Sequence, residues 1–410
     1  MKHFDIAVVG GGMVGASLAL MLRPLMRQGL TVALIDAQAI DASAPVQPSF
    51  DARTSALSLG TQRVFDRLGL WSLLKPYCNA IDHISVTQQG QFGRVRLHND
   101  DCLVEALGQV IENRYLGKTL WQSLEAFQAS CPDRLHLLAP AKLTALNMVP
   151  AAGQLSIEMD SGTETISASL IVLADGANST GCQLLGIQQT KHDYQQQAVV
   201  VNVSFDRPHN NWAYERFTSQ GPLAMLPLTD NRFGVVWCQS PEQTKAVLEL
   251  DDDAFKAQLQ KQVSKQLGRL VRVGERQSYP LALVKASEQV RSNVVVLGNA
   301  AHALHPVAGQ GFNLALRDTQ ALAEQIERDF ERNQLGNLKG LLAYAENQAT
   351  DQNMTIGASH GLPLAFSHQS LLMSIARGAG MTLLDQLPVA KRLFARQAMG
   401  LTGSAAPWSH

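Results

Sequence analysis

Apolar runs broken by turn residues give the chain its first readable unit. Ile6-Ala7-Val8-Val9 is a β-rich apolar run that stops at Gly10, and Val32-Ala33-Leu34-Ile35 is a second that stops at Asp36. Between them, Met13 to Arg27 is helix-forming and small or apolar on most faces, the pattern of a helix buried against a sheet. These pieces predict a β-α-β unit with the spacing of a dinucleotide-binding fold. A helical pattern follows from Asp51 to Trp71, with Val64, Phe65, Leu68 and Leu70 as its apolar side, and another from Asn113 to Phe127. Short runs between Leu135 and Ser167, separated by Pro140, Pro150, Gly153 and Gly162, predict a small antiparallel meander.

The region from Ala198 to Leu283 has a different rhythm. Val199–Phe205, Trp212–Thr218, Leu223–Leu228 and Phe233–Gln239 read as consecutive strands separated by turn residues. An amphipathic helix is expected over Asp252–Leu267. Buried-strand runs at Leu170–Ala174 and Asn293–Leu297 flank this region, and a helix opens near Gly311. The expected fold class is therefore α/β: a Rossmann-type nucleotide domain carrying an inserted, mostly antiparallel sheet domain, with C-terminal helices. The nucleotide domain is expected to be discontinuous, over 1–80, 101–182 and 291–350. The sheet domain takes 81–100 and 183–290, and a helical region takes 351–410.

Composition narrows the function classes. With 34 Lys+Arg against 35 Asp+Glu the net charge is −1, so no strong basic field is available for nucleic acid. Cys78, Cys102, Cys131, Cys182 and Cys238 are scattered without a Cys-x-x-Cys, which favours neither a disulfide framework nor zinc and fits a reducing compartment. The N-terminal apolar stretch is interrupted by Asp5 and Gly10-Gly11-Gly12, unlike a signal peptide. No apolar run reaches the roughly 18 residues of a spanning helix. A cytoplasmic chain, or one peripheral at the inner membrane, is expected. Charged residues are only 17% against about 25% in typical soluble domains, so the chain is apolar for its class.

Three motifs carry the chemistry. Gly10-x-Gly12-x-x-Gly15 follows a strand, opens a helix and has Asp36 twenty-one residues after Gly15. Gly10 suits the tight turn, Gly12 lets backbone approach a pyrophosphate at the helix N-terminus, and Gly15 permits close helix–strand packing; Asp36 suits a ribose. The second motif is Asp175-Gly176-x-x-Ser179. The third is Gly298-Asn299-Ala300-Ala301-His302-x-x-His305-Pro306-x-x-Gly309-Gln310-Gly311-x-Asn313, followed by Asp318. No second Gly-x-Gly-x-x-Gly stands in a strand–helix context, so one dinucleotide is held tightly and any other docks transiently. His302 and His305 have His-x-x-His spacing, yet no carboxylate lies in register and no metal site is expected.

Together with Arg53, read as standing at a helix start, these motifs resemble the single-component FAD-dependent aromatic hydroxylases related to para-hydroxybenzoate hydroxylase. The resemblance covers about residues 1 to 350. It is closest to the ubiquinone-biosynthesis hydroxylases of the 2-polyprenyl-6-methoxyphenol type, on Glu215-Arg216-Phe217-Thr218, Gly221-Pro222-Leu223-Ala224-Met225-Leu226-Pro227, Asn299 and Leu304-His305-Pro306. Two departures stand out: Asn299 where the wider family has Asp, and Cys182 where its Asp-Gly loop ends in Arg.

The resemblance implies tightly bound FAD, NAD(P)H as transient reductant and dioxygen as co-substrate, with oxygen passed from a flavin hydroperoxide to a phenol ring. It implies FAD contacts at Gly10, Gly12, Gly15, Asp36, Arg53, Gln109, Asp175, Gly176, Asn299, Gly309, Gln310, Gly311 and Asn313. Pro306 would rigidify the turn beside the flavin, and His302 and His305 are the nearest candidates for a base. Arg216, Phe217, Met225 and Pro227 are candidate substrate contacts. Glu215 and Arg216 read equally as cross-strand surface partners, and the aromatic and methionine side chains as core. The implied substrate is an apolar prenylated phenol, with other ubiquinone-biosynthesis enzymes and the membrane surface as further partners. Hydroxylation of another ring position or another phenol, a reductase or halogenase on the same scaffold, and a non-catalytic flavoprotein of a biosynthetic complex stay open. Leu362 to Leu384 alternates apolar runs with Arg377, and Lys391, Arg392 and Arg396 follow; this reads as an amphipathic helical cap or a membrane-surface contact.

Overall fold

In a computed structural model of the chain, the described residues are 1–39, 53–367 and 371–401. The apolar runs at Lys2–Val9 and Val32–Ile35 pair in parallel, Ile6 opposite Val32 and Val9 opposite Ile35. On its other side Lys2–Val9 pairs in parallel with the C-terminal half of Gly162–Leu173, which in turn pairs with Val294–Val296. A parallel sheet needs both faces covered. Helices Met13–Met21, Asn113–Ser130 and Gln310–Glu331 contribute to the apolar cluster on one face, and Leu143, Leu155, Ile157 and Ile187 to the cluster on the other. Leu135–Leu138 adds to this sheet in parallel beside Val32–Ile35, so the expected meander begins one strand later, with Lys142–Val149, Ala152–Met159 and the start of Gly162–Leu173.

A second, nine-stranded sheet holds the region expected to be antiparallel. Its order runs His302–Ala303, Gln277–Ala286, Gln189–Phe205, Arg232–Gln239, Pro222–Leu228, Trp212–Phe217, His83–Gln88 and Arg94–His98, with Leu270–Val273 beside Gln189–Phe205. One join, Trp212–Phe217 with His83–Gln88, is parallel. Helices Pro241–Leu248 and Asp252–Gln260 cover one face, burying Val247, Phe255 and Leu259 against Val201, Met225 and Trp237. The second of these helices is capped by Asp251, whose carboxylate accepts from Ala254 N at 2.8 Å, and it ends earlier than its apolar period suggests.

A third sheet joins the two, with Gly108–Glu112 between Thr54–Ser58 and Cys78–Ile81. Arg53 stands before a strand, not at a helix start, because Thr54–Ser58 is held by pairing with Gly108–Glu112. The helix begins only at Leu59, where the Ser58 hydroxyl accepts from Thr61 N. Asp51, where the helical pattern was expected to begin, lies outside the described residues. Helices Leu338–Ser367, Leu371–Gln386 and Pro388–Ala398 close the chain over the remaining face of the second sheet, where Met381, Ala395 and Met399 pack with Ile81, Val95, Leu97 and Leu228. Among the described residues, no helix is long and apolar enough to cross a membrane.

Candidate active site

The glycine turn is built by collision and by vacancy. Gly10 has φ +103°, a conformation costly for residues with a Cβ, and a side chain there would strike the Ala174 carbonyl. A methyl group at Gly15 would overlap the Gly10 carbonyl oxygen, so the helix can approach the strand only with glycine here. Gly12 is different: a Cβ there would meet nothing within 4 Å, and the helix Met13–Met21 has no side-chain cap at its N-terminus. Protein packing does not require glycine at that point, whereas an anion approaching uncapped N–H groups would. Asp36 fixes the loop beside it, its Oδ2 accepting from Gly11 N at 2.7 Å and its Oδ1 from Gln38 N at 2.9 Å. Burial raises its carboxyl above the usual range, against the lowering effect of those two bonds. Each oxygen keeps a lone pair for a further donor.

Two more segments come to the same parallel sheet. Asp175 follows Gly162–Leu173; its Oδ2 accepts from Gly181 N at 3.0 Å, and its buried Oδ1 has no partner among the described residues. A Cβ at Gly176 would meet nothing within 4 Å. Asn299, after Val294–Val296, is exposed. The chain then reaches Gly309, in the left-handed region at φ +59°, which starts the helix Gln310–Glu331, again without a side-chain cap. Gly311 is open on its Cβ side.

Asn313 secures that helix start. Its Nδ2 donates to Ala56 O and Gly309 O at 2.8 and 2.9 Å, and its Oδ1 accepts from Ser58 N and Thr61 Oγ1 at 2.8 Å each. All four hydrogen-bonding positions of the amide are thus used within the protein. Its reach toward a cofactor is indirect, through the placement of Gly309.

Beside Gly309 and Gly311 lies a cavity of about 410 Å³. Strand Thr54–Ser58 forms one wall, together with Pro306 and Val307. Ala213, Glu215, Phe217, Ala224, Leu226 and Val236 of the second sheet form another, and Leu362, Phe366, Met381, Leu384, Phe394 and Met399 of the C-terminal helices form the roof. Phe217 and Phe366 stack across it with ring centroids 3.8 Å apart. The lining is apolar apart from a few groups, the pattern of a small-molecule pocket. Glu215 is the one carboxyl among the described lining residues, and desolvation pushes it up to about 7.

Comparison with known proteins identifies the scaffold. Residues 3–331 match the FAD binding domain family. The chain belongs to that family. It is 34% identical over 97% of its length to the ubiquinone hydroxylase UbiL of Rhodospirillum rubrum, covering 90% of that protein. It is also 29% identical over 97% of its length to the 3-demethoxyubiquinol 3-hydroxylase of Escherichia coli, covering 98% of it. Among solved structures, p-nitrophenol 4-monooxygenase PnpA of Pseudomonas putida superposes with a TM-score of 0.78 at 16% identity, covering 99% of this chain and all of that one. The chain is an FAD-dependent monooxygenase, with NAD(P)H and dioxygen as the reactants typical of the family.

The residues present fit FAD. The open sides of Gly12, Gly176 and Gly311 and two helix N-termini without side-chain caps face away from protein packing, and the buried Asp175 Oδ1 has no partner among the described residues. Arg53 stacks on Tyr279 with its guanidinium carbon 4.5 Å from the ring centroid, and it borders a second cavity with Arg114, Arg232 and Arg272. Gln109 lies mid-strand in the third sheet, opposite Leu57 and Ala80, and its neighbour Gly108 reaches the cavity instead. Gln310 lines the cavity and donates to Ala398 O at 3.2 Å.

The remaining sequence candidates separate by strand alternation. Phe217 lines the cavity, but Arg216, Met225 and Pro227 do not. Successive side chains of a strand face opposite ways, so Arg216 turns away from Glu215 and Phe217, and Met225 joins the core under the Asp252–Gln260 helix. Pro227 shares the Met225 face. Neither imidazole reaches the cavity. His302 is buried with Nε2 2.9 Å from Asp318 Oδ2, and Gln352 donates to the other oxygen of Asp318 at 3.1 Å. His305 packs edge-on to Tyr194 at 4.9 Å, and burial pushes its imidazole down to about 4. Pro306 alone of the three reaches the lining. Glu215, which the sequence leaves open between an active-site role and a cross-strand surface pair, lines the cavity, and its period-2 spacing with the apolar Ala213 and Phe217 is the signal for that face.

Proposed function

We propose that the chain hydroxylates the ring of a polyprenylated methoxyphenol in ubiquinone biosynthesis. The observation that carries this reading is the apolar cavity, bounded at one side by the Pro306–Asn313 segment and roofed by helices: it suits an electron-rich ring with an apolar tail beside the flavin. The names of the Rhodospirillum and Escherichia coli relatives support the ubiquinone assignment. FAD, when bound, supplies the electrons and the activation of dioxygen that the reaction needs. The chain's own part is to bind, orient and dry the site. Gly10, Gly12, Gly15, Asp36 and Arg53 hold the dinucleotide in this reading; Asp175, Gly176 and Asn299 hold its middle; Gly309 and Gly311 let backbone lie against the ring. The nucleotide domain takes 1–80, 101–182 and 291–350, and the sheet carrying the substrate wall takes 81–100 and 183–290.

The tail of such a substrate resides in a bilayer, and the roof offers a route. Phe394 lines the cavity yet is 44% exposed, and Val389 and Leu393 beside it are exposed at 72% and 62%, with Arg392 and Arg396 on the same helix also exposed. An apolar patch flanked by cations and continuous with the cavity fits an anionic membrane surface. The test is turnover: purified holoprotein given NADPH, ¹⁸O₂ and a prenylated methoxyphenol should yield ring-labelled product by mass spectrometry. Turnover of small hydrophilic phenols alone would sink the prenyl-quinone reading, and NAD(P)H oxidation with no label in any product would sink hydroxylation.

A further inference from the structure

We propose that Glu215 receives the substrate's phenol hydroxyl, accepting its hydrogen bond and then its proton as the ring is oxidised. This deepens the functional reading above and rests on it.

The argument begins with position. Glu215 is in the strand Trp212–Phe217, opposite Ala224 on one neighbouring strand and Val86 on the other, and all three side chains line the same apolar cavity. One side of Glu215 borders that space, while Oε1 itself is covered and has no hydrogen-bond partner among the described residues. A buried carboxyl oxygen left unpaired is costly, and a polar group in such a place calls for an explanation. A turn of the carboxyl about its last side-chain bond exchanges the covered oxygen for the one at the cavity, so a hydroxyl arriving there supplies the carboxyl's missing partner.

Chemistry then selects the proton acceptor. Desolvation places the carboxyl at about 7, so near neutral pH a large fraction is ionised and its basicity is well above that of an ordinary glutamate. Tyr214 also borders the cavity, but its ring packs on the other face of the strand with Trp212 and Phe233, and burial raises its hydroxyl. Cys238, on the strand beyond Ala224, is likewise pushed up by burial and by Glu215. Arg216 alternates to the opposite face, and Arg377 lies over the Phe366 ring at 5.7 Å. The imidazoles of His302 and His305 are not in the lining.

The step balances. The phenol O–H bond breaks, its electron pair stays on oxygen and feeds the ring, and the proton rests on the Glu215 carboxyl. The ring carbon gives an electron pair to one oxygen atom of dioxygen already reduced by two electrons, with two protons, at the expense of NAD(P)H: the C–O bond forms as the O–O bond breaks, its pair leaves on the second oxygen atom, and the transferred oxygen carries one of those protons. The hydrogen of that carbon then moves to the ketone oxygen, restoring the hydroxyl. The Glu215 carboxyl passes its proton to the second oxygen atom, which with the other proton taken up in the reduction leaves as water.

The experiment compares wild type with Glu215→Gln, using a prenylated 2-methoxyphenol and its methyl ether as probes, and bound FAD absorbance as the measure of folding. Wild type should bind the phenol more tightly than the ether, with that preference weakening as pH falls through about 7. Glu215→Gln should lose the preference and its pH dependence, and should form about tenfold less product, or lower still, per NAD(P)H oxidised. Retention of the preference, the product yield and the pH profile in Glu215→Gln overturns the assignment. Should that variant lose FAD, wild type decides: a phenol preference flat from pH 5 to 9 overturns it equally. A wild-type protein that shows the preference but hydroxylates no phenol overturns the functional reading and leaves the phenol contact standing.

Discussion

His302 and Asp318 form a buried pair, Nε2 to Oδ2 at 2.9 Å, with side chains 4% and 0% exposed. The pair joins the loop after Val294–Val296 to the helix Gln310–Glu331, and Gln352 extends it to the next helix. Removing one partner of such a pair leaves the other sealed away without compensation. His302→Ala should therefore cost about 3 kcal/mol of stability, measured by urea unfolding. A refolded sample should keep its KM for a phenol, since the imidazole is not at the cavity.

Gly12 and Gly15 are both glycines of one motif and should fail differently. Gly12→Ala meets open space with an ordinary φ of −63°, so apoprotein stability should change by less than about 1 kcal/mol while FAD affinity falls about tenfold. Gly15→Ala drives a methyl group into the Gly10 carbonyl and should abolish soluble expression. Thermal unfolding of the apoprotein and flavin titration separate the two.

Asn313→Ala removes four hydrogen bonds at once, leaving Ala56 O, Gly309 O and Ser58 N short of a partner. A loss of about 2–4 kcal/mol is expected. Because Gly309 is one of the groups released, bound flavin should become more accessible to quenchers, read by fluorescence against the intact protein.

His305 gives stability a defined pH dependence. Its imidazole stands at about 4 in the fold against an ordinary 6.5, so between those values the unfolded chain binds more protons than the folded one. Its effect is absent above pH 6.5 and grows to about 3 kcal/mol of destabilisation as pH falls to 4. Tyr194 packs on it, His360 bonds the Tyr194 hydroxyl, and Ser359 donates to the His305 carbonyl. Glu215 acts the other way, since a carboxyl raised from 4.5 to about 7 holds extra protons in the fold and loses that stabilisation as pH rises through this range. His305→Gln should thus gain stability relative to wild type as pH drops from 6.5 to 4, in paired denaturant titrations.

Val389→Glu with Leu393→Glu places charge on the exposed roof. Co-sedimentation with anionic liposomes should fall at least about tenfold while FAD is retained. Equal co-sedimentation of the variant would remove the membrane from the reading.

The glycine turn was legible because its demands are local: a strand, a tight turn and a helix within 36 residues, with steric rules that hold in any context. Arg53 was misplaced because Thr54–Ser58 has the serine, alanine and leucine of a helical pattern, and only pairing with Gly108–Glu112, over fifty residues away, makes it a strand. Arg216, Met225 and Pro227 were misplaced for a related reason. Alternation along a strand tells which residues share a face, but which face receives helices 241–260 and which the cavity is settled by tertiary packing. Asn313 illustrates a third limit. Its place in the motif suggests a ligand, whereas three of its four bonds go to backbone, at Ala56, Ser58 and Gly309, and the fourth to the Thr61 hydroxyl. The low charge fraction has a location in part: the middle strands of the second sheet are covered by helices on one face and by the cavity and its roof on the other.

The cavity draws its walls from residues 54–58, 81–108, 213–236, 306–313 and 362–399. A chain elongating from its N-terminus has every cofactor glycine in hand some fifty residues before it has a ceiling. Reduced flavin in such an open site would meet water and oxygen together and discharge its electrons as hydrogen peroxide. On the proposed reading, productive oxygen transfer would wait on residues 362–399, beyond the matched FAD domain, and the roof would serve as a check that the polypeptide has been made that far.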